Sequence, residues 1–243
     1  MSELLRLDKL LTDTGRWSRK EAKALIRKGE VSVNGAVVKQ ADAKISTENL
    51  SLQVGGQPVT WQKYTYIMLH KPAGILTATE DRRQPTVLDL LPEALRRQGL
   101  SPVGRLDKDT EGLLLLTNDG RLTHQLLSPK YHVDKVYYTR TEGTVDETDI
   151  QAFAEGMTLG DGTVCRSAGL KALGPGECLV TLREGKFHQV KRMLAARGKP
   201  VVYLKRLSMG TLILDKNLEK GAFRPLTEEE LKEILQKNEK TRE

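Results

Sequence analysis

Apolar and polar positions change period twice along the first sixty residues. Leu7, Leu10 and Leu11 recur at helical spacing, so Arg6 to Leu11 is read as a short amphipathic helix. Ala22, Leu25 and Ile26 make the apolar face of a second helix, which opens on the capping box Ser18-Arg-Lys-Glu21 and stops at Gly29. The period then falls to two. Val31-Ser-Val33, Asn34-Gly35 and Ala36-Val-Val38 read as strand, type I′ turn and strand. Leu50, Leu52 and Val54 alternate again, Gly55-Gly56 turns, and Val59 to Trp61 returns. This pattern places a domain boundary near residue 60, with a small domain over 1–60 and a larger one over 61–243.

In the larger part, Tyr64 to Leu69, Leu113 to Thr117 and Lys135 to Thr141 are β-rich runs. Leu170 to Leu173 and Leu179 to Arg183 are expected to pair across Gly174-Pro175-Gly176. Helical patterns lie near Val87 to Gln98, Leu122 to Leu127, Glu147 to Glu155 and His188 to Arg197. The last carries Val190, Met193 and Leu194 on one face. Thr227-Glu-Glu-Glu230 is a further capping box, opening a terminal helix that runs into a charged tail. Strands joined by tight turns, with helices interspersed irregularly, predict an α+β fold with a mixed, mainly antiparallel sheet.

Composition narrows the class. A chain of 243 residues that is 38% hydrophobic and 29% charged is ordinary for a globular protein. Its longest aliphatic run, Leu113 to Leu116, is far short of the roughly 20 residues of a membrane span. The start, MSELLRLDKLL, does not read as a signal peptide. Cys165 and Cys178 form no CxxC pair, which points to a reduced, cytoplasmic setting. The net charge of +7 favours polyanionic partners. That charge is clustered: Gly185 to Leu214 holds Lys186, Lys191, Arg192, Arg197, Lys199, Lys205 and Arg206 and no acid. Arg16, Arg19, Lys20, Lys23, Arg27 and Lys28 gather about the second helix, with Glu21 as the acid among them.

The stretch GRLDKDTEGLLLLTNDG, Gly104 to Gly120, sets Asp107, Asp109 and Glu111 at alternate positions before four leucines. As a calcium loop it would place Asn118 at position 12, where a bidentate carboxylate is needed, and Gly99-Leu-Ser-Pro-Val-Gly104 cannot be the incoming helix. Two readings stay open on the residues alone. The acids can decorate a turn before a buried strand, or one can be a reactive carboxylate. An aspartate is ionised at neutral pH and needs only a fixed position, partial shielding and a counter-charge. The four histidines, His70, His124, His132 and His188, show no metal-ligand spacing with acids or thiols. On an extended strand, Lys135, Tyr137 and Thr139 share one face, and Tyr138 on the other is the core candidate.

RLDKLL, SRKEAKALIRKGEVSVNG and VVKQADAKI, in that order over residues 4 to about 50, resemble the S4 (α-L-like) RNA-binding domain. GRLDKDTEGLLLLTNDG, YIMLHKPAGILTA, YHVDKVYY and LREGKFHQVKRMLAARG follow in the order seen in pseudouridine synthases. The class they resemble is typified by ribosomal small-subunit pseudouridine synthase A. The resemblance implies an S4 domain followed by a pseudouridine-synthase domain, isomerising a uridine of ribosomal RNA without metal or organic cofactor. It implies Asp107 as the catalytic residue, Tyr137 stacked on the flipped uracil, Val190 packed under it, Lys191 paired with Asp107, and Arg105 holding the RNA. It implies RNA contacts from Arg16, Ser18, Arg19, Lys20, Arg27 and Lys28. His188 takes a structural or RNA-contact role, Lys71 and Pro72 shape the floor, and Asp109 and Glu111 shape the loop. The expected partner is ribosomal RNA or a ribosomal assembly particle, 16S before 23S, with no membrane and the chain acting as a monomer. A non-catalytic S4-type assembly factor is the competing reading.

Overall fold

A computed structural model describes residues 3–240, and the charged tail expected after the terminal helix lies partly outside them. The chain forms two compact units, Met1–Thr65 with Leu91–Leu100, and Tyr66–Leu90 with Ser101–Glu243.

In the first unit β1 (Leu4–Arg6), α1 (Leu7–Asp13), α2 (Arg19–Lys28), β2 (Val31–Val33), β3 (Ala36–Val37), β4 (Lys44–Ser46), β5 (Leu52–Val54) and β6 (Gln57–Val59) follow in order. The capping box forms as the sequence predicts: Glu21 N–H donates to Ser18 Oγ at 3.3 Å, and Ser18 N–H to Glu21 Oε2 at 2.7 Å. Asn34 and Gly35 both take positive φ, 50° and 83°, which is what a type I′ turn requires. The sheet order is β3-β2-β5-β6. Leu7, Leu10, Leu11, Ala22, Ile26 and Val31 are fully buried between the helices and this sheet.

The helix expected over Val87 to Gln98 is only α3 (Glu93–Arg96). Pro92 is the reason. It has no N–H to donate and keeps the residue before it out of the helical region, so a helix can start only after it.

The second unit contains β7 (Tyr66–Lys71), β8 (Ser101–Pro102), β9 (Glu111–Thr117), α4 (Gly120–Leu127), β10 (Lys135–Thr141) and α5 (Glu147–Glu155). There follow β11 (Met157–Thr158), β12 (Val164–Cys165), β13 (Gly169–Gly174), β14 (Glu177–Leu182), α6 (Gln189–Ala196), β15 (Val201–Met209), β16 (Leu212–Ile213), β17 (Phe223–Pro225) and α7 (Glu228–Lys240). Nine strands make one sheet, with β13-β14-β10-β15-β9-β7-β17 as its path, β16 on β15 and β8 on β9. The β9–β15 pair is parallel and the other pairs are antiparallel, so the sheet is mixed and mainly antiparallel. One core joins Phe153 of α5 and Val190, Met193 and Leu194 of α6 to Tyr137, Val180 and Leu204 of the sheet. A second joins Leu122 and Leu126 of α4 and Ile234 of α7 to Met68, Leu113 and Leu115. Each such aliphatic side chain contributes about 1.5–3 kcal/mol by leaving water.

The parallel pair is unusually close at Gly112. Its φ is +109°, and a Cβ there would lie 2.2 Å from the Arg206 carbonyl oxygen and 2.6 Å from its nitrogen. Backbone, unlike a flexible side chain, cannot swing aside. Gly112→Ala is therefore expected to destabilise the protein by about 3 kcal/mol, combining a disfavoured φ with overpacking. A drop in the midpoint of chemical denaturation of the full chain checks this.

Candidate active site

The loop between β8 and β9 carries Arg105, Asp107 and Asp109, and its backbone is held from below. Thr77 Oγ1 donates to the Leu106 carbonyl at 2.7 Å, and Gly74 N–H donates to the Lys108 carbonyl at 2.8 Å. Lys71, fully buried at the end of β7, donates from Nζ to the carbonyls of Pro72 (2.9 Å), Lys108 (3.2 Å) and Thr110 (3.0 Å). Burial brings its ammonium down to about 8, a fall that the nearby carboxylates of Asp109 and Asp107 only partly offset. The segment Lys71–Thr77 is thus the floor on which the loop rests.

Above that floor lies a small open cleft, about 80 Å³ in volume, lined by Arg105, Asp107, Tyr137, Leu182, Val190 and Leu204 among others. Tyr137 comes from β10, Val190 from the first turn of α6, and Leu204 from β15. Four of the five substrate-facing residues predicted from sequence therefore share one cavity. The fifth, Lys191, reaches Asp107 directly: its Nζ is 3.1 Å from Asp107 Oδ2 and 2.5 Å from Asp109 Oδ1. His188 Nε2 lies 3.4 Å from Asp107 Oδ1. Burial alone would lower the pKa of the Lys191 ammonium, but the hydrogen bonds it donates to Asp109 and Asp107 outweigh it and hold that pKa above the ordinary lysine value. Lys191 is consequently a permanent cation at neutral pH. The Asp107 side chain is 27% exposed, shielded yet open to the cleft, while Asp109 is 72% exposed.

The third carboxylate of the motif faces elsewhere. Glu111 pairs with Lys220 at 2.8 Å and accepts from the Tyr203 hydroxyl at 2.7 Å. Burial would raise its pKa, but these two partners keep it below the usual carboxylate range. Tyr203 and Lys220 had no signal in the sequence that tied them to Glu111. β15, which supplies Tyr203 and Leu204, also has no clear strand signature in the sequence, because its burial alternates only in part and it carries Lys205 and Arg206 within it.

One expectation on β10 is reversed. Tyr137 is 8% exposed and packs into the core while its ring also lines the cleft, whereas Tyr138 is only half-buried and meets Tyr203 edge-on at 6.1 Å between ring centroids. The Lys135, Tyr137 and Thr139 face turns inward because that is the side covered by α5 and α6. In the first unit, Arg16, Ser18, Arg19, Lys20, Arg27 and Lys28 are all exposed on α2 and the turn before it. Among the described residues no group of three His, Cys, Asp or Glu is placed to hold a metal ion. No helix there is long and apolar enough to cross a membrane.

A family model described as RNA pseudouridylate synthase matches residues 65–196, and one described as S4 domain matches residues 5–49. A Bacillus subtilis (strain 168) protein named uncharacterized RNA pseudouridine synthase YtzG is 47% identical over 232 residues, covering 93% of this chain and 97% of its own. The ribosomal small subunit pseudouridine synthase A of Escherichia coli (strain K12) is 38% identical over 233 residues, covering 95% of this chain and 100% of its own. A solved structure described as a crystal structure of pseudouridylate synthase superposes with a TM-score of 0.67 at 37% identity, covering 95% of this chain and 99% of that one.

Proposed function

The chain belongs to the RNA pseudouridylate synthase family, with an S4 domain before the synthase domain, and from that premise we propose that it converts a uridine of small-subunit (16S) ribosomal RNA into pseudouridine. The observation that carries this is the carboxylate of Asp107, set in the cleft beside the Tyr137 ring and held by the Lys191 cation at 3.1 Å.

The reaction is an isomerisation. The bond from ribose C1′ to N1 of the uracil breaks, the ring turns, a bond from C1′ to C5 forms, the C5 proton leaves and N1 takes one up. Nothing is oxidised or reduced, so the chemistry asks for no redox cofactor. Asp107 acts on C1′ or on the base as the bond breaks, and Lys191 balances its charge in a partly desolvated place. Tyr137 stacks on the extruded uracil, with Val190 beneath it. Arg105, exposed at the cleft, holds the RNA and fills the space that the base has left. His188 supports the loop or the RNA rather than the chemistry.

Extruding a base costs a few kcal/mol of stacking and pairing. Phosphate contacts from the acid-free segment Gly185 to Leu214 offset that cost, and Arg16, Ser18, Arg19, Lys20, Arg27 and Lys28 add the affinity of the S4 unit. All five proposed substrate-facing residues come from one chain, so a monomer acting in the cytoplasm on ribosomal RNA or an assembly particle meets the requirement. The 16S assignment draws on the small-subunit synthases among the relatives, at 37–41% identity.

The test is tritium release from small-subunit and large-subunit ribosomal RNA labelled at uridine C5, as free RNA and as assembly particles. Release from the small-subunit RNA is expected. Release from large-subunit RNA alone would move the substrate, and binding without release from either would favour the assembly-factor reading.

A further inference from the structure

Phe187 is the most exposed large hydrophobic side chain among the described residues, at 75%. Its ring stacks on that of His188, with 3.8 Å between centroids and 17° between planes. The other face of the ring is open. His188 in turn reaches Asp107, so the stacked pair stands at the rim of the cleft.

The turn that carries the ring is firmly built. Lys186 N–H donates to Gln189 Oε1 at 3.0 Å, and Gln189 Nε2 donates to Glu184 Oε1 at 2.7 Å. Arg192 Nη1 donates to the Phe187 carbonyl at 3.3 Å. His188 has φ of +47°, a left-handed conformation that a non-glycine residue keeps only where its surroundings impose it. The exposed ring is therefore held in place rather than left loose, which lowers the ordering cost of binding something against it.

We propose that the Phe187–His188 stack is a nucleobase platform, taking the base adjacent to the extruded uridine on the open face of Phe187. This rests on the reading of the cleft as a uridine-isomerising site. Pulling one nucleotide out of a stack exposes the faces of its neighbours, and those neighbours lie within a nucleotide of the cleft mouth. A flat ring with one covered face and one free face is suited to such a base, because stacking tolerates any base identity. The segment onward from Gly185 has no acid to repel the accompanying phosphates. Phe187 is a positioning residue in this scheme and touches no reacting atom.

The full chain is tested with Phe187→Ala, Phe187→Leu and Phe187→Trp. Affinity is read by anisotropy of a fluorescein-labelled twelve-nucleotide oligouridylate across a salt series, and turnover by tritium release from ribosomal RNA. The Ala and Leu variants are expected to weaken binding about tenfold, with the slope of log Kd against log salt unchanged, since stacking releases no counterions. The Trp variant is expected to bind like the wild type. KM should rise with Kd in the Ala and Leu variants, while kcat stays near that of the wild type. Unchanged affinity in Phe187→Ala would overturn the proposal. So would retention by Leu, which is apolar but not planar, or a fall in kcat at constant Kd, which would make the ring a prop for His188. Absence of release by the wild type would remove the isomerase reading, and the Kd comparison would still decide whether the ring stacks.

Discussion

Asp107→Asn is expected to abolish tritium release, with kcat falling by at least about 10⁴-fold, the scale seen when a reacting side chain is removed. Folding and RNA affinity should survive. Asparagine has nearly the same shape, and Lys191 keeps Asp109 at 2.5 Å, so no buried cation is left unpaired. A neutral amide cannot supply the carboxylate that the reaction needs. The control is Asp109→Asn. Asp109 is 72% exposed and touches the same lysine, but it does not line the cleft. Its loss should cost kcat less than tenfold, as for an exposed pair with little effect on the site. Single-turnover tritium release by the two variants decides between the carboxylates. Equal losses would mean that Lys191 and both acids work as one unit.

Lys71→Met carries the second largest expected effect, and it acts on stability and activity together. The substitution removes the ammonium that donates to the carbonyls of Pro72, Lys108 and Thr110, of which Lys108 keeps a second donor, the Gly74 N–H. Unpartnered buried carbonyls cost about 1–3 kcal/mol each, and removal of a buried charge gives part of that back, so a net loss of about 3 kcal/mol is expected. The Asp107 loop loses two of its anchors, and a displacement near 1 Å would lower kcat about 100-fold. The pH dependence has a definite sign. Lys71 is protonated below about 8 in the folded protein, against an ordinary value of 10.5 in the unfolded chain. Between those values the unfolded chain binds the extra proton, so the stability of the wild type relative to Lys71→Met rises as pH increases through that window. Below pH 8 the full cost of the buried charge is present and the difference is flat. Denaturation midpoints for both proteins at pH 7, 8 and 9 check the sign, and a difference that falls with pH would contradict it.

Local signals were read directly from the sequence wherever a single short-range interaction decides the structure. Ser18 and Glu21 cap a helix because the two reach each other across one turn. Asn34-Gly35 turns because both residues accept positive φ. Where two local rules conflicted, the weaker one misled: an apolar pattern from Val87 suggested a long helix, and Pro92 overruled it. Long-range facts were less legible. Nothing local says which face of β10 will be covered, so the sequence offers Tyr138 as the core residue, whereas α5 and α6 cover Tyr137. The fold brings Asp107, Tyr137 and Lys191 together, and as candidates they were legible through the motifs that hold them. The geometry that joins them was not, since it depends on Lys71 and Thr77 holding a loop some thirty residues away (Lys71 to Lys108 spans 37 positions, Thr77 to Leu106 spans 29). Phe187 stood within a recognised motif, yet only its exposure and stacking single it out.

The place of β15 in the sheet sets the order in which the protein can become competent. It lies between β10 and β9, and along the sheet path no other strand joins β13-β14-β10 to β9-β7-β17. Asp107 precedes β9 on one side of that junction, and Tyr137 sits in β10 on the other. During synthesis the two halves of the cleft must wait for Val201–Met209 to emerge and insert, and the pairing with Glu111 and Gly112 closes a loop of about ninety residues. Such distant pairing is slow to form. A nascent chain therefore presents the S4 core, whose side chains run from Leu5 to Trp61, well before the cleft between β9 and β10 can close.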